Sequence, residues 1–256
     1  MSVYDPEAMA AFYDAYGERE WTRFEDGRTP SVSIATHTAY LERFVEPGDR
    51  VLDAGCGPGR FTLELARIGA RVVASDLSPG QLELHRRYTG AVDVEDRVVA
   101  DVTQLPFADD EFDVGVCYGG ALSYVLDRAG DGVAELARVT RPGGHVLVSV
   151  MSLVGTAVNA FRDGWLPARG YSDAETEAVI ATGILPQAES GHPAMKLFRW
   201  SELRALLSKH GEVVAGAATG LFHGDDPRLA AVELDLGAEP GAVDMGAHIL
   251  AVVRVA

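Results

Sequence analysis

A glycine-rich turn is the first feature of the sequence that could do chemistry. It lies in the stretch 51–60, which reads Val-Leu-Asp-Ala-Gly-Cys-Gly-Pro-Gly-Arg and predicts a strand, a turn and the start of a helix. Gly55, Gly57 and Gly59 have no Cβ, so the backbone can turn sharply there and a ligand can approach it closely. The helix that follows would offer unpaired N–H groups in its first turn. The pattern therefore predicts a ligand site at the end of this strand.

The spacing around the turn narrows the choice of ligand. Dinucleotide, flavin and adenosylmethionine sites all use a glycine-rich turn, so the turn alone does not separate them. A dinucleotide site needs glycine or alanine three residues after Gly57, where this chain has Arg60. The carboxylate of Asp53 would repel a pyrophosphate but could attract the cationic group of an amino acid. The spacing favours a cationic ligand over a polyphosphate.

Two further carboxylates follow predicted strands. Asp76 ends the second strand, where it could accept hydrogen bonds from a ribose diol, and the apolar Leu77 comes next. Asp101 closes the third strand and could accept from an adenine amino group, with Val102 packing on the ring. A lone strand-end aspartate is commonly a cap or turn residue. Together with Asp53 and the glycines, however, these residues would line one edge of a parallel sheet, where ligands bind in open α/β folds.

The elements that position these residues alternate between strands and helices from about residue 50, which is typical of a doubly wound α/β fold with a parallel sheet. A turn at 141–144 is expected to enter the fifth strand. We expect strands at Arg50–Ala54, Arg71–Ser75, Arg97–Ala100, Phe112–Tyr118 and His145–Val150, and helices at Phe61–Ile68, Pro79–Tyr88 and near Gly132–Thr140.

The remaining segments predict a cover over this core. Residues 1–45 are expected to form an N-terminal lid of two helices, whose aromatic residues either cover the ligand or pack on the core. Residues 46–256 would form the main domain, with cap insertions at about 151–200 and 221–246. We expect one helix in the first insertion, at Asp173–Thr182, and then a helix with Ser201 as its N-cap that ends at Gly211. Strands are expected at Glu212–Ala217 and His248–Val255.

Over roughly residues 45–150 the chain resembles the class I S-adenosylmethionine-dependent methyltransferases. The segment 53–59 is similar to the first motif of that family, Asp76 to its ribose-binding acid, and Asp101-Val102 to its adenine-contacting pair. The runs 105–113 and 136–144 are similar to the segments that lead into its fourth and fifth strands. The resemblance implies S-adenosylmethionine as cofactor and a Rossmann-like sheet of seven strands, of which the last two pair antiparallel.

The resemblance also bears on Tyr118, which ends the fourth predicted strand before Gly119 and Gly120. The family places residues beside the adenine or the transferred methyl group at this position, although a core tyrosine would fit the sequence equally well. An Asn/Asp-Pro-Pro-aromatic run, typical of methyltransferases that act on exocyclic amines of bases, is absent here. This argues against a DNA methyltransferase.

Methyl transfer from a sulfonium is an in-line displacement, so the enzyme mainly orients the reactants and excludes water. A base is optional, and its need depends on whether the acceptor is an amine, a hydroxyl or a thiol. His37, His192 and His223 lie in the three variable segments and could converge over the cofactor site. Each could equally be a structural or surface histidine. No catalytic residue is assigned.

Composition excludes several classes of protein. The chain has 256 residues, 47% hydrophobic and 23% charged, which is typical of a globular protein. With 22 basic and 38 acidic residues, its formal charge of −16 disfavours nucleic acid as a partner.

The two cysteines, Cys56 and Cys117, are too few for a disulfide framework or a cysteine-rich zinc site, and no metal is expected. No apolar run approaches the roughly 20 residues that span a bilayer, and no secretory signal is seen, so we expect a cytoplasmic protein.

The favoured interpretation is an enzyme that methylates a small, partly apolar molecule on O, N, S or C. The aromatic and apolar residues of the variable segments support such an acceptor. Alternatives are an RNA or protein methyltransferase, and a non-catalytic adenosyl-ligand binder with the same fold. The residues that favour the apolar acceptor are Phe161, Trp165, Leu166, Tyr171, Leu197, Phe198 and Trp200.

Overall fold

The computed structural model describes residues 3–23, 31–164, 166, 168, 170–188, 191–222, 226 and 228–256. Trp165 and His223, which the sequence singles out, lie outside the described residues. The helices are α1 Pro6–Tyr16, α2 Arg19–Thr22, α3 Ser31–Phe44, α4 Arg60–Ile68, α5 Pro79–Tyr88, α6 Ala121–Tyr124, α7 Ala129–Val139, α8 Leu153–Asp163, α9 Asp173–Thr182, α10 Trp200–Leu207 and α11 Arg228–Leu236. The strands are β1 Arg50–Ala54, β2 Arg71–Asp76, β3 Asp96–Val99, β4 Phe112–Cys117, β5 Thr140–Met151, β6 Ile184–Leu185, β7 Met195–Lys196, β8 Gly211–Thr219 and β9 His248–Val255.

Seven strands form the main sheet in the order β3-β2-β1-β4-β5-β9-β8. The first five are parallel, whereas β9 runs antiparallel between β5 and β8. The sheet confirms the predicted doubly wound α/β fold and the antiparallel pair formed by its last two strands. The order reverses between β1 and β4, and crevices for ligands form at such a switch point.

The apolar runs of the strands explain why helices cover both faces of the sheet. Leu52 and Val73 belong to one buried cluster, while their chain neighbours Val51 and Val72 belong to another. Successive strand residues point to opposite faces, so a strand that is apolar throughout must be covered on both. Helices α6, α7 and α10 contribute to the first cluster, and α3 and α4 to the second.

The N-terminal segment differs from the expected lid of two helices, because its described part contains three. Helix α1 starts at its N-cap Asp5, whose side chain accepts from the Ala8 N–H, and its C-cap is Gly17. This helix packs against α5. Helix α3 instead joins the core, where Leu41 is fully buried. The segment therefore divides between a core helix and two helices that border the carboxyl ends of the strands.

Three further predictions of the sequence are wrong in detail. Helix α10 begins at Trp200 with Arg199 as its N-cap, so Ser201 is not the cap; Asp244, far along the chain, accepts from the Trp200 N–H at 2.5 Å. Strand β5 begins at Thr140, because residues 141–144 form an irregularity within the strand and not a separate turn. Helices α8 and α11 and the short β6–β7 hairpin were not expected in the insertions.

No described helix has both the length and the apolar character needed to cross a membrane.

A buried carboxylate holds the outer helices to the sheet. Glu233 of α11 is fully buried and accepts from the Thr36 hydroxyl of α3 at 2.7 Å. It also accepts from the backbone N–H groups of Gly220 at 3.0 Å and Leu221 at 2.8 Å. One side chain therefore joins α11, α3 and the end of β8.

Replacing Glu233 with alanine should lower the free energy of unfolding by about 2–4 kcal/mol. The backbone N–H groups of Gly220, Leu221 and Phe222 and the Thr36 hydroxyl would all lose their acceptor. Urea unfolding measures this change. The matched control is Asp235→Ala, an exposed position on the same helix, which should stay within about 0.5 kcal/mol of wild type. Equal effects of the two variants would contradict a joining role for Glu233.

Candidate functional site

A cleft of about 890 Å³, including its open mouth, lies where the order of the strands reverses. Six of the predicted cofactor-binding residues line it: Gly55, Gly57, Asp76, Leu77, Val102 and Tyr118. The other three, Asp53, Gly59 and Asp101, do not line it and lie in the structure that supports its walls. The fold therefore collects the residues that the sequence singled out, but gives them different surroundings.

The surroundings of each glycine explain differently why a residue without a Cβ stands there. All three have positive φ angles, +68° at Gly55, +52° at Gly57 and +96° at Gly59. A Cβ on Gly55 would lie 2.8 Å from the Cβ of Ala121, and one on Gly59 would lie 2.4 Å from Cγ2 of Thr89. A Cβ on Gly57 would meet only Glu20 Cγ, at 3.8 Å. Gly55 and Gly59 are thus required by packing, whereas Gly57 leaves open room in the cleft.

Asp76 is a half-buried carboxylate in the cleft wall. Its Oδ2 accepts from the Gly57 N–H at 2.9 Å, and its Oδ1 accepts from the Ser78 N–H at 2.8 Å. Burial raises the pKa of Asp76 to about 6, the two backbone hydrogen bonds oppose this rise, and the carboxylates of Glu20 and Asp14 add to it. The result is a fixed acceptor beside the glycine turn that has spare lone pairs for the hydroxyl groups of a ligand.

Asp53 ends a directional chain of hydrogen bonds beneath the same turn. Arg97 Nε donates to His85 Nδ1 at 2.9 Å, so neutral His85 carries its proton on Nε2 and donates to Thr62 Oγ1, also at 2.9 Å. Thr62 in turn donates to Asp53 Oδ2 at 2.5 Å. Burial and the charge of Arg97 lower the pKa of His85 to about 4, while burial raises the pKa of Asp53 to about 6 against the Thr62 hydrogen bond.

Asp101 binds residues of its own chain on the far side of the cleft. Its Oδ2 accepts from the Tyr4 hydroxyl at 3.0 Å, and its Oδ1 accepts from both the backbone N–H and the hydroxyl of Thr103 at 2.8 Å. Burial, followed by the charge of Asp101, raises the pKa of Tyr4. Asp101 thereby holds the start of the chain beside Val102, and adenine contact by Asp101 itself stays a prediction.

The N-terminal helices contribute residues that sequence reasoning missed. Tyr13, Glu20 and Arg23 line the cleft, and Glu20 and Arg23 form an ion pair of 2.7 Å. The three-residue spacing predicts such a pair on a helix, but nothing local places it over the glycine turn. Trp21 faces elsewhere: its ring stacks on Tyr88 with centroids 4.2 Å apart.

Hydrogen bonds at the C-terminal end of α1 fix this helix and the segment after it. Asp14 accepts from the Ser78 hydroxyl at 2.5 Å and from the Gly80 N–H at 2.8 Å. The side-chain amide of Gln81 donates to the carbonyl oxygens of Tyr13 at 2.9 Å and Gly17 at 3.2 Å. The N-terminus of α5 therefore anchors the cover of the cleft.

The predicted histidines do not form one group. His37 is buried against Phe61 and Tyr118, whereas His192 contacts Phe12 and Tyr124. His223 lies outside the described residues. Among the described residues, no cluster of three or more histidine, cysteine, aspartate or glutamate side chains is placed to hold a metal ion.

Comparisons with known proteins agree with this geometry. A family model described as a methyltransferase domain matches residues 52–148. A demethylmenaquinone methyltransferase of Mycolicibacterium vanbaalenii is 34% identical over 229 residues, which cover 84% of this chain and 96% of that protein. Another, from Mycobacterium sp. (strain KMS), is 46% identical over 109 residues; this match spans 42% of the chain and only 44% of the relative's length.

A solved structure has the same fold. The 1,6-didemethyltoxoflavin-N1-methyltransferase of Burkholderia thailandensis, crystallised with 1,6-didemethyltoxoflavin and S-adenosylhomocysteine, matches with a TM-score of 0.60 and 22% identity. The match covers 100% of this chain and 92% of that one. The fold and cleft define a Rossmann-like transferase, and the chain belongs to the class I S-adenosylmethionine-dependent methyltransferases. S-adenosylmethionine is the cofactor of this class.

The residues of the cleft fit that cofactor. Asp76 would offer a half-buried carboxylate to the ribose hydroxyls, and Leu77, Ala100 and Val102 would offer apolar surface to the adenine ring. The space in front of Gly57, which a Cβ would partly fill, leaves the backbone open to a ligand. The cleft therefore contains the kinds of group that an adenosyl ligand would need.

Removing the Asp76 side chain should weaken S-adenosylhomocysteine binding by roughly 10- to 150-fold, because hydroxyl hydrogen bonds to a carboxylate contribute about 1.5–3 kcal/mol. Asp76→Ala is compared with the exposed Asp93→Ala by calorimetry. Because the carboxylate accepts better when ionised, wild-type affinity should fall as pH drops through about 6, the pKa of Asp76. Asp76→Asn should flatten that fall, and parallel pH profiles for Asp76→Asn and wild type would contradict the role.

Gly57 and Gly59 should respond differently to substitution by alanine. Gly57→Ala should lose cofactor affinity with a stability change of only about 1–2 kcal/mol, the ordinary cost of a left-handed alanine. Gly59→Ala should lose more stability, because its Cβ would overlap Thr89 and His85. Gly48→Ala is the control, since Gly48 has φ +91° and no atom near its missing Cβ. Thermal unfolding and calorimetry measure both effects; normal affinity in folded Gly57→Ala would oppose the assignment.

Proposed function

We propose that this protein transfers a methyl group from S-adenosylmethionine to a small, flat and largely apolar acceptor. The observation that carries the proposal is the composition of one cleft, which joins Asp76 and the glycine turn to an aromatic wall. Tyr13, Phe61, Tyr118 and Tyr124 supply that wall. Gly55, Gly57, Asp76, Leu77 and Val102 would hold the cofactor, while Asp53 and Asp101 support their backbone.

The protein's contribution to the reaction is orientation and the exclusion of water. When bound, S-adenosylmethionine supplies an activated methyl group on a cationic sulfur. The Asp76 carboxylate would attract a cation more strongly where water is displaced, whereas the charge of Glu20 is balanced by its ion pair with Arg23. The anchored α1 and α2 cover the cleft, so a bound acceptor would react away from solvent. A small aromatic ring would be held flat by the ring side chains.

The substrates named for the compared proteins support a flat acceptor. The relatives are named for demethylmenaquinone, and the solved structure holds 1,6-didemethyltoxoflavin. The cap insertion adds its own apolar cluster, which includes Leu153, Leu166 and Met195, and Tyr124 packs against it. The net charge of −16 disfavours RNA as the acceptor. We also propose a cytoplasmic location, which the two free, buried cysteines support.

Calorimetric titration distinguishes a methyltransferase from a protein that binds NAD or no adenosyl ligand. S-adenosylmethionine and S-adenosylhomocysteine should each bind at about micromolar Kd, a free energy near −8 kcal/mol, whereas NAD should not bind. Mass spectrometry of mixtures with small quinols and phenols should then detect a gain of one methyl group. Binding without transfer to any small acceptor would favour the non-catalytic alternative, and folded protein that binds no adenosyl ligand would overturn the proposal.

A further inference from the structure

Three buried polar atoms near the cleft have no hydrogen-bond partner among the described residues. They are Nε2 of His37 on α3, the hydroxyl of Tyr118 after β4, and Nδ1 of His248 at the start of β9. His37 and Tyr118 are each only 3% exposed. A buried polar group without a partner costs about 1–3 kcal/mol, so three in one place call for an explanation.

The three side chains form one contact group, with His37 at its centre. The His37 ring lies 4.7 Å from the Tyr118 ring, edge-on, and 6.2 Å from the ring of His248. Because His248 pairs with Met151, the last residue of β5, the group lies at the carboxyl ends of the parallel strands. This is the same edge of the sheet as the cleft.

The cleft and this group share a wall. Phe61 and Tyr118 line the cleft, lie edge-on to each other at 5.1 Å, and both contact the His37 ring. His37 itself does not line the cleft, so a ligand there would reach His37 Nε2 through a change of rotamer in one of these two rings. Changes of side-chain rotamer on this scale commonly accompany ligand binding.

The proton position on His37 follows from its other nitrogen. Nδ1 lies 2.7 Å from the Ser33 carbonyl oxygen, which can only accept, so Nδ1 carries the hydrogen. In the neutral ring, Nε2 therefore has a free lone pair. Burial and the nearby charge of Arg23 lower the pKa of His37 to about 4, which keeps the ring neutral near pH 7. His37 thus presents an acceptor, and the Tyr118 hydroxyl can donate.

An acceptor atom beside a donor hydroxyl, at the end of an aromatic wall, matches the chemistry of a ring-bound hydroxyl group. Such a group donates one hydrogen bond and accepts others, whereas a ring methoxy group or bare hydrocarbon cannot donate. We propose that His37, Tyr118 and His248 form the subsite that binds the hydroxyl of a phenol- or hydroquinone-type acceptor, with the hydroxyl donating to His37 Nε2. This inference rests on the proposed function and names its substrate class.

The test uses 2-naphthol as the probe and 2-methoxynaphthalene as the matched compound without an O–H donor. Each is titrated by calorimetry into the complete protein saturated with S-adenosylhomocysteine. Wild type should bind 2-naphthol more tightly than 2-methoxynaphthalene. Tyr118→Phe and His37→Phe should each weaken 2-naphthol binding by roughly 3- to 10-fold, as expected for one lost hydrogen bond. His37→Phe should leave 2-methoxynaphthalene binding unchanged, because that compound has no O–H to donate to His37 Nε2.

Stability provides the second measurement. Because the Tyr118 hydroxyl has no partner, Tyr118→Phe should keep or raise the melting temperature while it loses 2-naphthol affinity. The controls are Tyr40→Phe, a buried tyrosine of α3 that packs on Phe44, and His145→Phe, at the start of the regular part of β5. Both controls should bind 2-naphthol as wild type does.

Several outcomes would overturn the inference. Equal affinity of wild type for the two naphthalenes, no binding of 2-naphthol, or equal losses in the controls would each remove the subsite. A lowered melting temperature in Tyr118→Phe would show that the hydroxyl has a structural partner. All of these results leave the proposed function standing as long as S-adenosylhomocysteine binds. Failure of that cofactor to bind would instead refute the proposed function.

Discussion

The hydrogen-bonded chain from Arg97 through His85 and Thr62 to Asp53 is the interaction on which the rest of the site depends. It crosses from β3 through α5 and α4 to the end of β1, and each link lies between 2.5 and 2.9 Å. Every donor in it is fixed, because Arg97 can only donate and a carboxylate can only accept. The chain therefore orients three side chains at once and compensates the burial of Asp53.

The glycine turn has its shape because the hydrogen-bonded side chains from Arg97 to Asp53 lie directly beneath it. His85 and Thr89 occupy the space that a Cβ on Gly59 would need, so the turn is drawn tightly onto α5. The N-cap of the same helix is Ser78, whose N–H donates to Asp76 and whose hydroxyl donates to Asp14. One helix thus supports the turn, the cleft carboxylate and the N-terminal cover. A shift of α5 would disturb all three.

Burial gives the cleft its electrostatic character. Both Asp53 and Asp76 have pKa values raised to about 6, with burial as the main cause. Such carboxylates are ionised at neutral pH at a cost in folding free energy, which a cationic or hydroxyl-rich ligand offsets. Next to Phe61 and Tyr118, burial lowers the pKa of His37 and keeps its ring neutral, so this part of the site favours a different partner from the carboxylates. A cationic donor and a neutral hydroxyl-bearing acceptor would satisfy both.

The sequence by itself determined the parallel core, the bounds of β1, α5, α9 and β9, the glycine turn, and the placement of Asp76 in the cleft. These features follow from local patterns, namely apolar runs, caps and glycine spacing, which act over a few residues. Tertiary structure alone decided that α10 starts at Trp200, since the side chain that accepts from the Trp200 N–H is Asp244, 44 residues away. It also decided that Asp53 and Gly59 serve the support beneath the cleft, that Glu20 and Arg23 cover it, and that His37 and His192 lie apart. Each of these depends on which distant side chain occupies the neighbouring space, and no pattern within one segment encodes that contact.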